Sequence, residues 1–433
     1  MMIGGWMRRT AFWTLDALRG GSVRKHYRSV KNHIEQGLNN EAQLKILLEH
    51  AVRTSSFYKD CDPTDISSFP ILTKHDLKTN IDAVRSDTFK GKPIHQTSTS
   101  GSTGIPLTVW WDPEKLARQR AELIYFYERA EHQLGEPFIT FHENQHKKAK
   151  SSMTQWQQNM YDYDVTSFDD EKLDQICQRL MKRPAIQCYL AYGSFHEAMA
   201  KHLRARDYDP SAFRMTSLVS CSEVFPMSFK EELHQRTGAR IYDRYSNEEN
   251  GFFAQTEHLS DEFWVNTASF RVEILKQDSD EPAEAGEVGR IVITDLYNLA
   301  VPMIRYDTGD LSIRLSEKDG WTTGLKTIQG RQSDVVYDTR GGKMTTCSWN
   351  AYMGDFNELK QYQLIQEGPR AYTLKVNGAK GIYEDSEFVL ALQKAIGMDA
   401  EVTIQHVDGI PALSSGKFKK TVCNYQYNPA DYA

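Results

Sequence analysis

One stretch of this chain concentrates residues able to hold a phosphate: Thr99-Ser100-Gly101-Ser102-Thr103-Gly104-Ile105-Pro106. Glycines let neighbouring backbone N–H groups turn toward one point, and the hydroxyls add further donors. Such a nest suits a polyphosphate. It differs from a Walker A loop, because no Gly-Lys-Ser/Thr follows and no helix opens after it. Taken alone, it reads equally as a Ser/Gly-rich hairpin turn. Its flanks are Pro93-Ile94-His95-Gln96-Thr97 and Leu107-Thr108-Val109-Trp110-Trp111. They predict strand, glycine loop, strand.

A second stretch, His142-Glu143-Asn144-Gln145-His146, matches H-E-x-x-H letter for letter. Zinc chemistry needs both histidines on one face of a helix and a third ligand downstream. Here the motif follows the strand pattern Pro137-Phe138-Ile139-Thr140-Phe141 and runs into Lys147-Lys148-Ala149-Lys150. A solvated basic loop is the expectation, and a metallohydrolase built on His142 and His146 the rival.

Four further segments follow the glycine loop in order. They are Tyr245-Ser246-Asn247-Glu248-Glu249, Ile304-Arg305-Tyr306-Asp307-Thr308-Gly309-Asp310, Gly330-Arg331-Gln332-Ser333-Asp334 and Ser414-Ser415-Gly416-Lys417. With the loop, they resemble the motif series of the adenylate-forming superfamily of acyl-CoA ligases. The chain is most similar to its compact phenylacetate–CoA ligase-like branch, which includes proteins of capsule polysaccharide biosynthesis. The resemblance covers nearly the whole chain.

It implies a carboxylic acid as small-molecule substrate, ATP and Mg²⁺. The acid attacks the α-phosphate, giving an acyl-adenylate and pyrophosphate. The acyl group then passes to coenzyme A, a carrier-protein thiol, an amine or a hydroxyl. Positioning and charge neutralisation do most of the work in such a transfer. Carried over by motif, Ser100, Gly101, Ser102, Thr103 and Gly104 hold the β- and γ-phosphates. Ser222, Glu223, Tyr245 and Ser246 complete the ATP set, with Tyr245 beside the adenine. Glu249 holds Mg²⁺, Asp310 the ribose hydroxyls, and Arg331 ribose or phosphate. Lys417 bridges the acyl carboxylate and the α-phosphate. Four positions depart from the usual pattern: Ser246 replaces a glycine, Glu248 a threonine, Asp307 an arginine and Ser333 an aspartate. A noncatalytic member that binds adenylate or acyl ligands is the alternative reading.

The elements that must position these residues are readable from periodicity. Residues 23–53 and 113–134 predict helices, the latter with Pro113 in its first turn and Gly135 past its end. Thr73 is the expected N-cap of another helix. From 185 to 245, strands at 186–190, 215–220 and 239–243 alternate with helices at 194–206 and 226–236. Repeated βαβ units imply a parallel sheet with ligand loops at its carboxyl edge. Those loops carry Tyr192, Gly193, Ser194, Cys221 and Glu223, and the acyl pocket is expected among them, beside the helix that begins at Ser194. Aromatics nearby suit an aryl or small organic acid. Short strands at 263–265, 270–275, 289–294 and 311–314 predict an antiparallel subdomain. The fold class is therefore α/β, with a separate small α+β domain at 331–433. The resemblance makes residues 1–330 the adenylation domain and 331–433 a mobile domain carrying Lys417.

Composition limits the alternatives. The chain has 433 residues, 40% hydrophobic and 25% charged, with a formal net charge of -6. That is globular, and it argues against a general nucleic-acid binder. Six scattered cysteines without C-x-x-C suit reduced thiols and a cytoplasmic setting. No run approaches the roughly 18 apolar residues of a spanning helix. Met1 to Leu18 is mildly amphipathic and is expected to dock on the main domain.

Overall fold

The computed structural model describes residues 3–98, 107–142, 151–164, 170–182, 188–328, 336–344, 349, 351–353, 356, 358–378, 381–411 and 419–432. The glycine-loop residues Ser100, Gly101, Ser102, Thr103 and Gly104 lie outside them, as do His146, Arg331, Ser333 and Lys417. Two compact units form: residues 1–308 with 312–328, and residues 309–311 with 329–433.

The first unit begins with α1 (Ile3–Leu18), α2 (Ser22–Glu35) and α3 (Glu41–Thr54). Here the single helix expected over 23–53 is two. Gly37 takes φ 59°, and Leu38 N–H closes back on His33 C=O at 2.8 Å. That left-handed residue ends α2. Asn40 then anchors the break by donating to Ala268 C=O at 2.8 Å. α1 docks on the unit: Arg8 donates to Trp156 C=O at 3.1 Å, and a Cβ on Gly135 would lie 2.5 Å from Gly5 O. Thr73 caps α4 (Lys74–Val84) in a reciprocal box with Asp76, as its sequence position predicts. β1 (His95–Ser98) and β2 (Thr108–Trp111) pair antiparallel, Ser98 opposite Thr108, on either side of the glycine loop.

α5 (Pro113–Arg129) starts on an Asp112 cap and stops five residues short of the expected end. The βαβ series follows: β3 (Phe138–His142), α6 (Ser152–Gln158), β4 (Met160–Asp164), α7 (Asp170–Lys182), β5 (Cys188–Tyr192), α8 (Gly193–Arg204), β6 (Ser217–Cys221), α9 (Met227–Thr237) and β7 (Arg240–Asn247). Then come β8 (Gly251–Thr256), β9 (Glu262–Val265), β10 (Phe270–Leu275), β11 (Val288–Asp295), β12 (Tyr306–Lys318) and β13 (Trp321–Lys326).

These strands form one eleven-stranded sheet among the described residues, ordered β10-β11-β12-β13-β9-β8-β7-β6-β5-β3-β4. β4 to β7 run parallel, and β7 to β8 turns antiparallel. The expected antiparallel subdomain is thus continuous with the parallel sheet, because the β7–β8 hairpin carries the ladder straight across. Chain order reverses between β3 and β5, which opens a crevice at their carboxyl ends. The α7–α8–α9 side is filled by Phe141, Leu173, Phe195, Leu218 and Ile241. Ala130, Phe138, Cys188, Val219 and Tyr242 pack on the α5 side.

In the second unit, β14 (Val336–Tyr337) pairs with β15 (Lys343–Met344). β16 (Leu359–Gln366), β17 (Ala371–Gly378), β18 (Glu401–His406) and β19 (Thr421–Cys423) form a sheet in the order β18-β17-β16-β19. α10 (Asp385–Ile396) covers it, with Trp349, Leu364, Leu374, Phe388 and Leu392 as core.

Candidate active site

The parallel pairing of three strands ends level, at the last residues of β5 and β6, while β7 runs on to Asn247 against β8. Tyr192 of β5 stands opposite Cys221 of β6, and Cys221 opposite Arg244 of β7. Past this level the chain places Gly193 and Ser194, Ser222 and Glu223, and, still within β7, Tyr245 and Ser246. Ser222 adopts φ 67°, a left-handed turn that reverses the chain after β6. Glu223 accepts a hydrogen bond from Ser194 N at 2.7 Å and so caps the first turn of α8. A Cβ on Gly193 would lie 2.8 Å from Val224 O, so the closeness of these two loops requires glycine there.

Glu249 sits in the turn between β7 and β8 and is 5% exposed. Its Oε1 accepts from Lys74 Nζ at 2.8 Å, and the Tyr306 hydroxyl stands 3.5 Å away. Its backbone C=O accepts from Trp111 Nε1 at 2.9 Å. Thr97 Oγ1 lies 3.5 Å from Glu248 Oε2. The hairpin that frames the glycine loop is therefore fastened to the Glu248–Glu249 turn from both strands. Of the two carboxylates, Glu249 points inward and Glu248 is exposed.

Tyr245 is buried in the core, with its ring 5.1 Å from Phe253. Its hydroxyl donates to Thr308 Oγ1 at 3.2 Å, and Thr308 donates to Ile291 C=O at 2.9 Å. This joins the Tyr-Ser-Asn-Glu-Glu segment to the start of Thr308-Gly309-Asp310. Asp310 follows two residues later on β12. Asp307 pairs with Arg290 at 2.6 Å, and Arg290 also meets Asp280 at 2.8 Å. The residue that departs from the usual arginine thus serves a local ion-pair network.

Among the described residues, no group of three or more His, Cys, Asp and Glu is placed to hold a metal ion. His142 ends β3, and the rest of its motif lies outside the described residues. The donor set does suit Mg²⁺ shared with a polyphosphate, which needs only one or two protein carboxylates. A cation already rests on Glu249, the Lys74 ammonium.

Several contributors escape sequence reasoning. Lys74, Trp111 and Tyr306 reach Glu249 across long stretches of chain. Arg244 carries a readable signal: it is a charged residue inside a strand, between the buried Tyr242 and Tyr245.

A 2-hydroxyisobutyryl-CoA ligase, solved in the postadenylation state with an acyl-AMP, superposes with a TM-score of 0.68. The match is 14% identical and covers 90% of this chain and 89% of that one. The chain has the α/β fold of the acyl-CoA ligases of the adenylate-forming superfamily. Protein CapK of Staphylococcus aureus is 20% identical over 376 residues, 83% of this chain and 80% of CapK. The phenylacetate–coenzyme A ligase of Thermus thermophilus is 26% identical over 158 residues, 33% of this chain and 34% of that protein. Residues 336–424 match the CapK C-terminal domain family. The chain is thus homologous to CapK and to phenylacetate–coenzyme A ligase. Among the described residues, no helix is long and apolar enough to cross a membrane.

Proposed function

We propose that this chain activates a carboxylic acid with ATP. One carboxylate oxygen attacks the α-phosphorus, the bond to the β-phosphate breaks, and pyrophosphate leaves with the electron pair. The observation that carries the reading is the Glu249 turn. It lies against the hairpin that frames the glycine loop, through Trp111 and Thr97. It also follows Tyr245, at the edge where the parallel pairing of β5, β6 and β7 ends.

In this reading Ser100 to Gly104 bind the β- and γ-phosphates, and Glu249 holds Mg²⁺. The metal neutralises phosphate charge when bound. Asp310 takes the ribose hydroxyls, and Arg331 lies near ribose or phosphate. Lys417, from a C-terminal domain that moves against residues 1–330, stabilises charge developing between carboxylate and α-phosphate. Structures of the similar 2-hydroxyisobutyryl-CoA ligase carry an acyl-AMP and coenzyme A, which supports coenzyme A as acceptor here. The resemblance to the branch that includes proteins of capsule polysaccharide biosynthesis supports a product destined for a surface polysaccharide or a secondary metabolite.

Carboxylate-dependent ATP–pyrophosphate exchange tests the reading, first without coenzyme A and then with it. One acid should support exchange, and Lys417→Ala should abolish it while ATP still binds. ATP binding without exchange for any of a broad panel of aryl, hydroxy, amino and fatty acids would favour the noncatalytic reading. That rival rests on the departures at Ser246, Glu248, Asp307 and Ser333.

A further inference from the structure

The level at which the parallel pairing of β5, β6 and β7 ends has a chemical content beyond adenylation. Strand alternation puts Leu190 and Tyr192, Val219 and Cys221, and Tyr242 and Arg244 on one face of the sheet. It is the face packed toward α5, where Leu190, Val219 and Tyr242 join Tyr127. Arg244 is the charged member of this row, and it immediately precedes Tyr245.

Its guanidinium carbon lies 5.5 Å from the centres of both the Tyr127 and the Phe252 rings. Nη1 donates to the Tyr127 hydroxyl at 2.9 Å. Nε is buried with no acceptor among the described residues. No carboxylate there pairs with it. Its neighbours Tyr127 and Cys188 are a phenol and a thiol, not carboxylates. Burial pushes the Tyr127 phenol and the Cys188 thiol each up to about 12, against the pull of Arg244 itself. Arg118, on the same side of the sheet, shows what a structural arginine looks like here. Its three nitrogens donate to Ser269, Ser29 and Ala268 C=O.

Aromatic faces compensate a guanidinium only in part. A planar fork left without an anion matches a carboxylate, which it binds through two parallel hydrogen bonds. We infer that the acid activated at this edge carries a second anionic group, and that Arg244 receives it. One carboxylate is adenylated and the other is held by Arg244, so the substrate class is a dicarboxylic acid or a comparably dianionic acid. This rests on the ligase reading above. It adds a specificity residue that the resemblance does not supply.

Matched acids test it on the full chain: butyrate against succinate, valerate against glutarate, and phenylacetate against 4-carboxyphenylacetate. In pyrophosphate exchange, the dianionic member of at least one pair should have the higher kcat/KM. Arg244→Met should cut that preference by roughly 10- to 100-fold, the worth of a charged hydrogen bond. Arg244→Lys, which keeps the charge and loses the fork, should fall between, and it carries the test if Arg244→Met does not fold. A preference for the monoanionic member in every pair, or one unchanged in the variants, overturns the inference. Calorimetric binding of the same acids separates this from failure of the ligase reading. Dianion binding that Arg244→Met abolishes, without exchange, would uphold the inference and sink the ligase. Dianions that bind no better than their partners, without exchange, would sink both.

Discussion

Lys74 Nζ lies 2.8 Å from Glu249 Oε1, across 175 positions of sequence. The lysine is the first residue of α4, held by the Thr73–Asp76 capping box. The glutamate side chain is 6% exposed and the lysine side chain 33%. A buried carboxylate needs a counter-charge, and Lys74 supplies it in the ligand-free chain. If Glu249 holds Mg²⁺, the ammonium competes with the metal for the same oxygen. Lys74→Met should therefore lower the Mg²⁺ concentration for half-maximal exchange several-fold, and Glu249→Gln should raise it. A Mg²⁺ titration of pyrophosphate exchange decides it. A rise in Lys74→Met would instead place the ammonium on the phosphates.

Trp111 links the glycine-loop hairpin to the same turn through Nε1 and Glu249 C=O. Trp111→Phe keeps most of the apolar contact and removes the donor. The cost in stability should be about 1–2 kcal/mol, that of one buried hydrogen bond left unmade. The turn and the hairpin then lose their register. KM for ATP should rise more than kcat falls, because the donor acts through Glu249 and not on a reacting atom. Denaturant unfolding and steady-state kinetics on one preparation check both parts.

Much of this arrangement is legible in the chain. β10 (Phe270–Leu275) matches its expected bounds, since its alternation is sharp and turns flank it. The βαβ series from 185 to 245 is equally clear, because short apolar strand runs alternate with helical segments and Gly238 closes α9. The break at Gly37 is hidden, since apolar spacing continues through Leu38 and only the left-handed backbone at Gly37 ends α2. The continuous sheet is hidden too. No strand is expected from the sequence at 251–256, so neither β8 nor its pairing with β7 is legible. Glu249 is readable through its motif, whereas Lys74 and Trp111 are not. Their roles come from contacts 175 and 138 residues away, which no spacing rule encodes.

Lys115 and Asp295 form a fully buried ion pair at 2.6 Å between α5 and the end of β11. Burial pushes the Asp295 carboxyl up, and the Lys115 ammonium pulls it back. Asp112, the α5 cap, adds a further negative charge nearby. Lys115→Met would leave Asp295 buried without its partner. Stability should fall by about 3–5 kcal/mol, the usual cost of breaking a buried pair. Adding Asp295→Asn to that variant should recover much of the loss, since no lone charge then remains. A double-mutant cycle by denaturant unfolding measures the coupling, and strictly additive effects would refute it.

His196, on α8, is fully buried between the rings of Tyr189 and Phe225, with centroids 5.3 and 4.9 Å away. Burial holds its imidazole down at about 4, against an ordinary 6.5. His132 is lowered to about 4 by burial as well. Between pH 6.5 and 4 the unfolded chain takes up these protons and the folded chain does not. The stabilisation is therefore complete above about pH 6.5 and is lost as pH falls toward 4. Each histidine should remove about 2 kcal/mol between neutrality and pH 5, at about 1.4 kcal/mol per pH unit. His196→Phe fits an aromatic slot and eliminates the titration of His196. The dependence of Tm on pH should become visibly shallower between pH 7 and 5 in that variant. A slope equal to that of the unmodified chain would mean that His196 is protonated in the folded state, and that the aromatic sandwich holds an imidazolium.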